Sequence, residues 1–132
     1  MWHVIKGLNK IEVITFFVED LATTRAFYEE TLGLEVVWSD DVSAVVKLEN
    51  LMINILHTDK AGTLVEPRPV AASEAGTRQL FTFEVEDANA VYEELKAHGV
   101  TILNGPTDRP WGRRTISFAD PAGNVLEIAQ VL

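Results

Sequence analysis

The residues best suited to chemistry lie in the last quarter of the chain. Three arginines, Arg109, Arg113 and Arg114, flank Trp111 in a segment that contains a proline and a glycine. The planar fork of arginine suits a carboxylate, and an indole face suits a planar or cationic ligand. Glu127, in the last apolar run, is the candidate carboxylate within the chain. Two roles are therefore open for Arg114: a structural pair with Glu127, or a contact to an anionic group of a ligand.

Glu127 is also the candidate for a catalytic group, because a carboxylate on an otherwise apolar strand can act as a general base. The sequence offers no partner acid for it. The histidines do not supply one either, since His3 precedes the first predicted strand and His57 ends a strand. His98 falls in the last turn of a predicted helix, where a cation suits the helix dipole. We therefore expect surface or capping roles for the histidines.

Composition excludes several classes of protein. The 132 residues, 47% hydrophobic and 23% charged, are typical of one globular domain. No apolar run approaches the roughly 20 residues of a transmembrane helix, and the amino terminus lacks a signal-peptide pattern, so a cytoplasmic protein is expected. The net charge of −9 disfavours nucleic acid and membrane surfaces as partners. The absence of cysteine excludes disulfides and thiolate metal sites.

Hydrophobic periodicity predicts the same order of elements twice, one β-α-β-β-β unit after another. The predicted strands are 11–18, 34–39, 43–48 and 51–57 in the first unit, and 80–85, 100–103, 114–119 and 125–131 in the second. The predicted helices cover 21–32 and 88–98. The Val-Glu-Asp triplet at 18–20 recurs at 85–87, and the Gly-Leu pair at 33–34 recurs as Gly-Val at 99–100. This recurrence indicates an internal duplication.

The duplication predicts two modules within a single domain, at about 8–57 and 79–132. A connection over about 58–78 joins them and contains two prolines and two glycines. Connections of this length are uncommon inside compact domains. A lid or crossover and a mobile linker are both compatible with its composition.

Five short motifs occur in order on this pattern: Ala26-Phe27-Tyr28, Leu32-Gly33-Leu34, His98-Gly99-Val100, Pro110-Trp111-Gly112 and Asp120-Pro121-Ala122-Gly123-Asn124. The last of them is typical of a tight structural turn. With these motifs the chain resembles the vicinal-oxygen-chelate superfamily, the glyoxalase and bleomycin-resistance group, from about residue 11 to 131. The resemblance implies an α+β fold of two βαβββ modules, each a curved mixed sheet or partial barrel with its helix outside. It also implies a cavity enclosed by two modules, commonly across a homodimer interface.

Metal-dependent members of this superfamily hold a divalent ion with four side chains from the first and last strands of the modules. The matching positions in this chain are Val13, Asn54, Leu80 and Glu127. Valine and leucine have no donor atom, and one amide with one carboxylate is a poor site for zinc, nickel or iron. We therefore expect no metal cofactor. Glyoxalase, extradiol dioxygenase and fosfomycin-transferase activities do not follow directly from the resemblance.

Strand alternation predicts that these positions and their neighbours on the same face line a mostly apolar pocket. The expected ligand-binding residues are Val13, Phe17, Trp38, Met52, Asn54, Leu80, Thr82, Trp111, Arg114 and Glu127. The leading hypothesis is a metal-independent binding protein of the bleomycin-resistance type, with antibiotic resistance as one use of its pocket. It would sequester an aromatic or partly apolar ligand in a cavity at a homodimer interface. The alternatives are a glyoxalase-like lyase or isomerase that uses Glu127 as base, with or without a divalent metal, and a regulatory module with an empty cavity.

Overall fold

A computed structural model describes residues 5–132; residues 1–4, and with them His3, lie outside the described part. The elements in chain order are β1 (Val13–Val18), α1 (Leu21–Ala26) continued by a π-helical turn (Phe27–Thr31), β2 (Glu35–Ser39), β3 (Ser43–Lys47), β4 (Met52–His57), α2 (Thr58–Val65), a 3₁₀ turn (Ser73–Ala75), β5 (Phe81–Glu84), α3 (Ala88–Ala97), β6 (Thr101–Arg109), β7 (Arg113–Ala119) and β8 (Val125–Val131). They form two compact units that divide between Val70 and Ala71, called module one and module two below.

Each module contains one four-stranded mixed sheet. The strand order is β1-β4-β3-β2 in module one and β5-β8-β7-β6 in module two. The first and last strands of each module pair in parallel, and the other neighbours are antiparallel. Neither sheet is closed, and the predicted α+β fold of two βαβββ modules is confirmed. No helix in residues 5–132 has both the length and the apolar content needed to cross a membrane.

Helix α1 begins at Asp20, as the sequence predicts. The Asp20 carboxylate accepts hydrogen bonds from the Thr23 amide at 3.1 Å and from the Thr23 hydroxyl at 2.8 Å. These bonds favour the charged form, so the pKa of Asp20 lies below its ordinary value. Asp87 caps α3 in the same way, accepting from the Ala90 amide at 3.1 Å.

The predicted helix 21–32 is not a continuous α-helix. After Ala26 it widens into a π-helical turn, where the Leu32 amide donates to the Phe27 carbonyl at 3.0 Å. The side chains of Phe27 and Tyr28 are both buried, and the Tyr28 ring lies 5.2 Å from Phe27 and 6.0 Å from Phe16.

The contact between Tyr28 and Phe16 shows which face of the first sheet lies against α1. Alternate residues of the strands are buried on this face, as expected for a half-covered sheet. They are Phe16, Val18, Ala44, Val46, Ile53 and Ile55. In module two the Gln130 side chain accepts from the Ala88 amide at the start of α3, at 2.8 Å, which marks the helix-covered face there. Its buried residues are Ile116, Phe118, Leu126 and Ile128.

The segment 58–78, expected to be a connection, contains two helical pieces. His57 caps α2, because its Nδ1 accepts from the Asp59 amide at 3.1 Å. Helix α2 lies in module one and the 3₁₀ turn lies in module two. A histidine is an unusual helix cap, and this is why the sequence pattern did not reveal α2.

Strand β6 extends to Arg109, well past the predicted end at residue 103. It contains two register shifts, on either side of Asn104. Gly105 lies between them with φ +98°, and a Cβ there would fall 2.4 Å from the Thr115 carbonyl oxygen. The glycine therefore lets β6 bend closely past β7. The sequence prediction ended the strand early because a Gly-Pro pair usually breaks strands.

The motif that begins at Asp120 forms the turn between β7 and β8. The Asp120 carboxylate accepts from the amides of Ala122 and Asn124 at 2.9 Å and 2.8 Å, and from the Asn124 side chain at 2.8 Å. Asp120 is buried, so its bonds fix the turn from within. The structural interpretation of this motif is confirmed.

Candidate functional site

The face of each sheet turned away from α1 or α3 is called the distal face here. In module one, four residues that are Cα partners across the sheet form a row on it: Trp38, Val45, Asn54 and Thr15. A register shift in β2 just before Trp38 brings the indole onto this row. Trp38 is 53% exposed. The row therefore presents an aromatic surface at one edge and an amide near the centre.

Other residues of the expected pocket flank this row. Val13 pairs with Met52 on one side, and Phe17 pairs with Leu56 on the other. By strand alternation all four share the distal face with Asn54. The structure thus brings Val13, Phe17, Trp38, Met52 and Asn54 onto one surface, and their part in ligand binding stays a prediction.

The polar centre of the module-one face is not satisfied internally. The Asn54 Oδ1 atom is buried, and no described residue donates a hydrogen bond to it. A buried amide oxygen without a donor is costly.

Module two carries the equivalent row. Asn104, Ser117, Glu127 and Thr82 are Cα partners across β6, β7, β8 and β5. The Thr82 hydroxyl donates to Glu127 Oε1 at 2.8 Å, and among residues 5–132 this is the hydrogen bond that the carboxylate accepts. Leu80, which precedes β5 and is 49% exposed, shares this face with Thr82 by alternation. Glu127 is therefore a half-buried acid, oriented through one oxygen.

Arg114 does not pair with Glu127, and this expectation is wrong. Arg114 lies opposite Gln130, whereas Glu127 lies opposite Ser117, so the two side chains are on different faces of the sheet. Arg114 instead donates to both oxygens of Asp108, at 2.7 Å and 3.2 Å. This ion pair holds the pKa of Asp108 below its ordinary value and raises that of Arg114. Arg114 therefore has a structural role on the helix-covered face.

The arginines that do lie on the distal face are Arg109 and Arg113, which are Cα partners at the end of β6 and the start of β7. Arg109 donates to the Thr115 hydroxyl at 3.0 Å and to Asn104 Oδ1 at 3.3 Å. Trp111, in the turn between these strands, is 68% exposed. The sequence analysis named neither Arg109 nor Arg113 as a site residue. Counting alternate residues back from Ser117 along β7 would have placed Arg113 on this face.

The residues at the superfamily's metal positions do not fit a metal. Val13 and Asn54 lie in module one, Leu80 and Glu127 lie in module two, and two of the four have no donor atom. Across residues 5–132, no three His, Cys, Asp or Glu side chains converge as a metal-binding group. The donor set of this chain is therefore an amide and one carboxylate, without the imidazole or thiolate that zinc, nickel or iron prefer.

The two βαβββ modules define a class of protein that comparisons with known proteins identify further. The model of the glyoxalase/bleomycin resistance protein/dioxygenase superfamily matches residues 10–128. The uncharacterized protein YraH of Bacillus subtilis is 31% identical over 127 residues, covering 93% of this chain and 99% of that protein. The metallothiol transferase FosB of Staphylococcus haemolyticus is 28% identical over 127 residues, covering 94% and 83%.

A crystal structure of a glyoxalase/bleomycin resistance protein/dioxygenase from Nocardioides shares the fold. It matches with a TM-score of 0.84 at 22% identity, over 98% of this chain and 87% of that chain. The chain belongs to the glyoxalase/bleomycin resistance protein/dioxygenase superfamily.

Proposed function

We propose that this chain is a metal-independent binding protein of the bleomycin-resistance type, which sequesters an aromatic or partly apolar small molecule. The observation that carries the proposal is the module-one row, where an exposed indole lies in line with Val45 and Asn54. Val13, Phe17 and Met52 flank the row on the same face, together with the charged Lys47. Aromatic faces beside a few fixed polar groups are the usual composition of small-molecule sites.

The metal positions support the same proposal. A site that used a metal for Lewis-acid chemistry would need several His, Asp or Glu donors. Val13 and Leu80 offer none, so binding would rest on stacking, apolar contact and hydrogen bonding.

A second copy of the chain is the proposed cover for these faces, which gives the homodimer expected from the superfamily resemblance. Large apolar side chains that stay exposed support this: Val13, Trp38, Leu80 and Val131. Such residues are enriched where surfaces associate.

The test is ligand binding by chelator-treated protein. A panel of neutral planar aromatic compounds is titrated while tryptophan fluorescence is followed, and analytical ultracentrifugation of the same samples reports self-association. We expect Trp38→Ala to lower the affinity for the compound that binds most tightly at least about tenfold. A stacked aromatic side chain contributes about 1.4 kcal/mol or more to such binding. Leu64→Ala is the matched control, because Leu64 is a comparably exposed apolar residue on α2 of the same module. The affinity of this variant for the same compound should stay within about twofold of the wild type.

Two outcomes would contradict the proposal. The first is that no compound binds. The second is that binding or thermal stability requires Ni²⁺, Zn²⁺, Mn²⁺ or Fe²⁺ to be restored after chelation.

A lyase or isomerase with Glu127 as general base is the second candidate. The observation that favours it is the carboxylate itself, held through Oε1 by Thr82 while no described residue donates to Oε2. The similarity to a relative with the name of an enzyme, the metallothiol transferase FosB, also supports an enzymatic function. Glu127→Gln separates the two functions: a binding protein should keep its affinity within a few fold, whereas a general base should lose roughly 10²–10⁴-fold in turnover.

A further inference from the structure

The end of the module-two distal face, next to the β6–β7 turn, brings two arginines directly opposite each other. Arg109 and Arg113 are Cα partners, so their Cβ atoms are about 5 Å apart. Like charges in this position repel each other and destabilise the strand pair. The turn itself is closed by a hydrogen bond from the Gly112 amide to the Arg109 carbonyl at 3.0 Å, which fixes the two strand ends.

No acid of residues 5–132 forms an ion pair with either arginine. This is notable in a chain with 20 acidic and 11 basic residues. The nearest acid in sequence, Asp108, points to the other face and is taken by Arg114. The two positive charges on the distal face therefore have no counterpart within the described protein.

Arg109 is nevertheless held in place. Two neutral acceptors, the Thr115 hydroxyl and Asn104 Oδ1, take two of its five N–H groups. Neutral acceptors orient the guanidinium without cancelling its charge. The remaining N–H groups of Arg109, and all five of Arg113, are without an acceptor in the described residues.

We propose that Arg109 and Arg113 bind an anionic group, a carboxylate or a phosphate, of a small ligand on the distal face of module two. Arginine forks bind these planar and tetrahedral oxyanions through paired N–H bonds. The anion would also remove the repulsion between the two guanidinium groups. This inference rests on the proposed small-molecule binding function and adds that the distal face of module two takes an anion.

Glu127 adds a constraint on such a ligand. It lies in the same row as Asn104, the acceptor for Arg109, with Ser117 between them. Two strand spacings separate these positions, about 10 Å. A ligand that reaches both would carry its anionic group at the arginines and a hydroxyl or amine toward the carboxylate.

The test is a titration of the chain with two probes, inorganic phosphate and benzoate, at constant ionic strength. The side-chain Nε–Hε resonances of the arginines are followed by NMR. We expect a saturable shift of the Arg109 and Arg113 resonances with at least one probe. Arg113→Gln should lower the affinity for that probe at least about tenfold. Arg113→Lys should lower this affinity less than Arg113→Gln does, because lysine keeps the positive charge.

Arg113→Gln is the sharper variant, because the side chain of Arg113 makes no hydrogen bond in the described residues and its replacement should not disturb folding. Arg78→Gln is the charge-matched control. Arg78 is exposed and precedes β5, at the opposite edge of the sheet from β6. The affinity of Arg78→Gln for the anionic probe should stay within about twofold of the wild type.

Equal affinities of Arg113→Gln, Arg78→Gln and the wild type would overturn the inference, and so would the absence of a saturable shift with both probes. Binding of a neutral aromatic compound that depends on Trp38 but not on Arg113 would leave the proposed function standing while the anion site fails. If neither the neutral compounds nor the anions bind, both proposals fail. The probe that binds more tightly identifies the anion as carboxylate or phosphate.

Discussion

In module one the distal row consists of an indole, a valine, an amide and a threonine. In module two the same four strand positions hold an amide, a serine, a carboxylate and a threonine. The strand order and the parallel pair agree between the two modules, and the second strand of each is irregular, with one register shift in β2 and two in β6. The buried residues of the helix-covered faces are apolar in both modules, because they supply the contacts that hold helix to sheet.

This contrast shows where each module is constrained. Burial against a helix restricts a face to apolar residues of fitting volume, so the fold depends on that face. The distal face is not packed against α1 or α3, although Leu56, Thr115, Ser117 and Ala129 on it are buried. Along the rows, module one presents an indole and an amide, whereas module two presents a carboxylate and, near the β6–β7 turn, two arginines.

The largest loss of stability is expected from a substitution in β6, where the backbone of the module-two sheet differs from that of the module-one sheet. Gly105→Ala should destabilise the protein by about 3 kcal/mol or more, since it adds left-handed strain and forces a Cβ against the Thr115 carbonyl. Gly99→Ala is the control: its φ is +72° but nothing lies within 4 Å of a Cβ there, so about 1 kcal/mol is expected. Urea unfolding measures both. Equal losses would mean that β6 does not need its close approach to β7.

A medium effect is expected from exchanging the central polar group of the rows. Asn54→Asp should cost roughly 1–3 kcal/mol at neutral pH, because it places a charge where the buried oxygen has no donor. Asn54→Leu should be neutral or stabilising, since it removes an unsatisfied group. Glu127→Gln should cost under about 1 kcal/mol, because the Thr82 hydroxyl can donate to an amide oxygen as well.

Chemical denaturation of these three variants provides the comparison. A loss above about 2 kcal/mol in Asn54→Leu would show that the amide is hydrogen-bonded in solution. The chemical difference between the two rows would then be smaller than the structure indicates.

The smallest effects concern two exposed carboxylates, one in each module. The pKa of Asp40 is lowered mainly by the Val42 amide, and that of Asp108 by the hydrogen bond from Arg114. A folded-state pKa below the ordinary 3.8 stabilises the protein above that pH, and this stabilisation is lost as pH falls through the folded value. Asp40→Asn and Asp108→Asn should therefore lower the urea midpoint at pH 7, and the deficit should shrink below pH 3.8.

Salt separates the two carboxylates. The Asp108–Arg114 pair is an exposed ion pair and should weaken in roughly 1 M NaCl, whereas the bonds from backbone amides to Asp40 should be less sensitive. The same urea titrations at low and high salt measure this. An equal salt response of the two variants would argue that Asp108 acts through neutral hydrogen bonds alone.

Much of this architecture could be predicted from particular residues. Asp20 and Asp87 mark two helix starts, and alternation along β1 and β4 is enough to place Phe17 and Asn54 on one face. Helix α2 was missed because its cap is a histidine, and β6 was cut short because Gly105 and Pro106 resemble a strand end. The expected position of Arg114 was wrong because the start of β7, and so its register against β8, does not follow from the local pattern of residues.

The sequence by itself determined the eight strands, the helices α1 and α3, their order and the two-module duplication, since capping, helical spacing and strand alternation are local properties of the chain. It also determined that two of the superfamily's metal positions hold aliphatic residues. Only the tertiary structure decided the strand registers, which join Thr82 to Glu127, separate Arg114 from Glu127, and oppose Arg109 to Arg113. Register depends on bulges and on packing between distant segments, and a shift of one residue moves a side chain to the other face of the sheet.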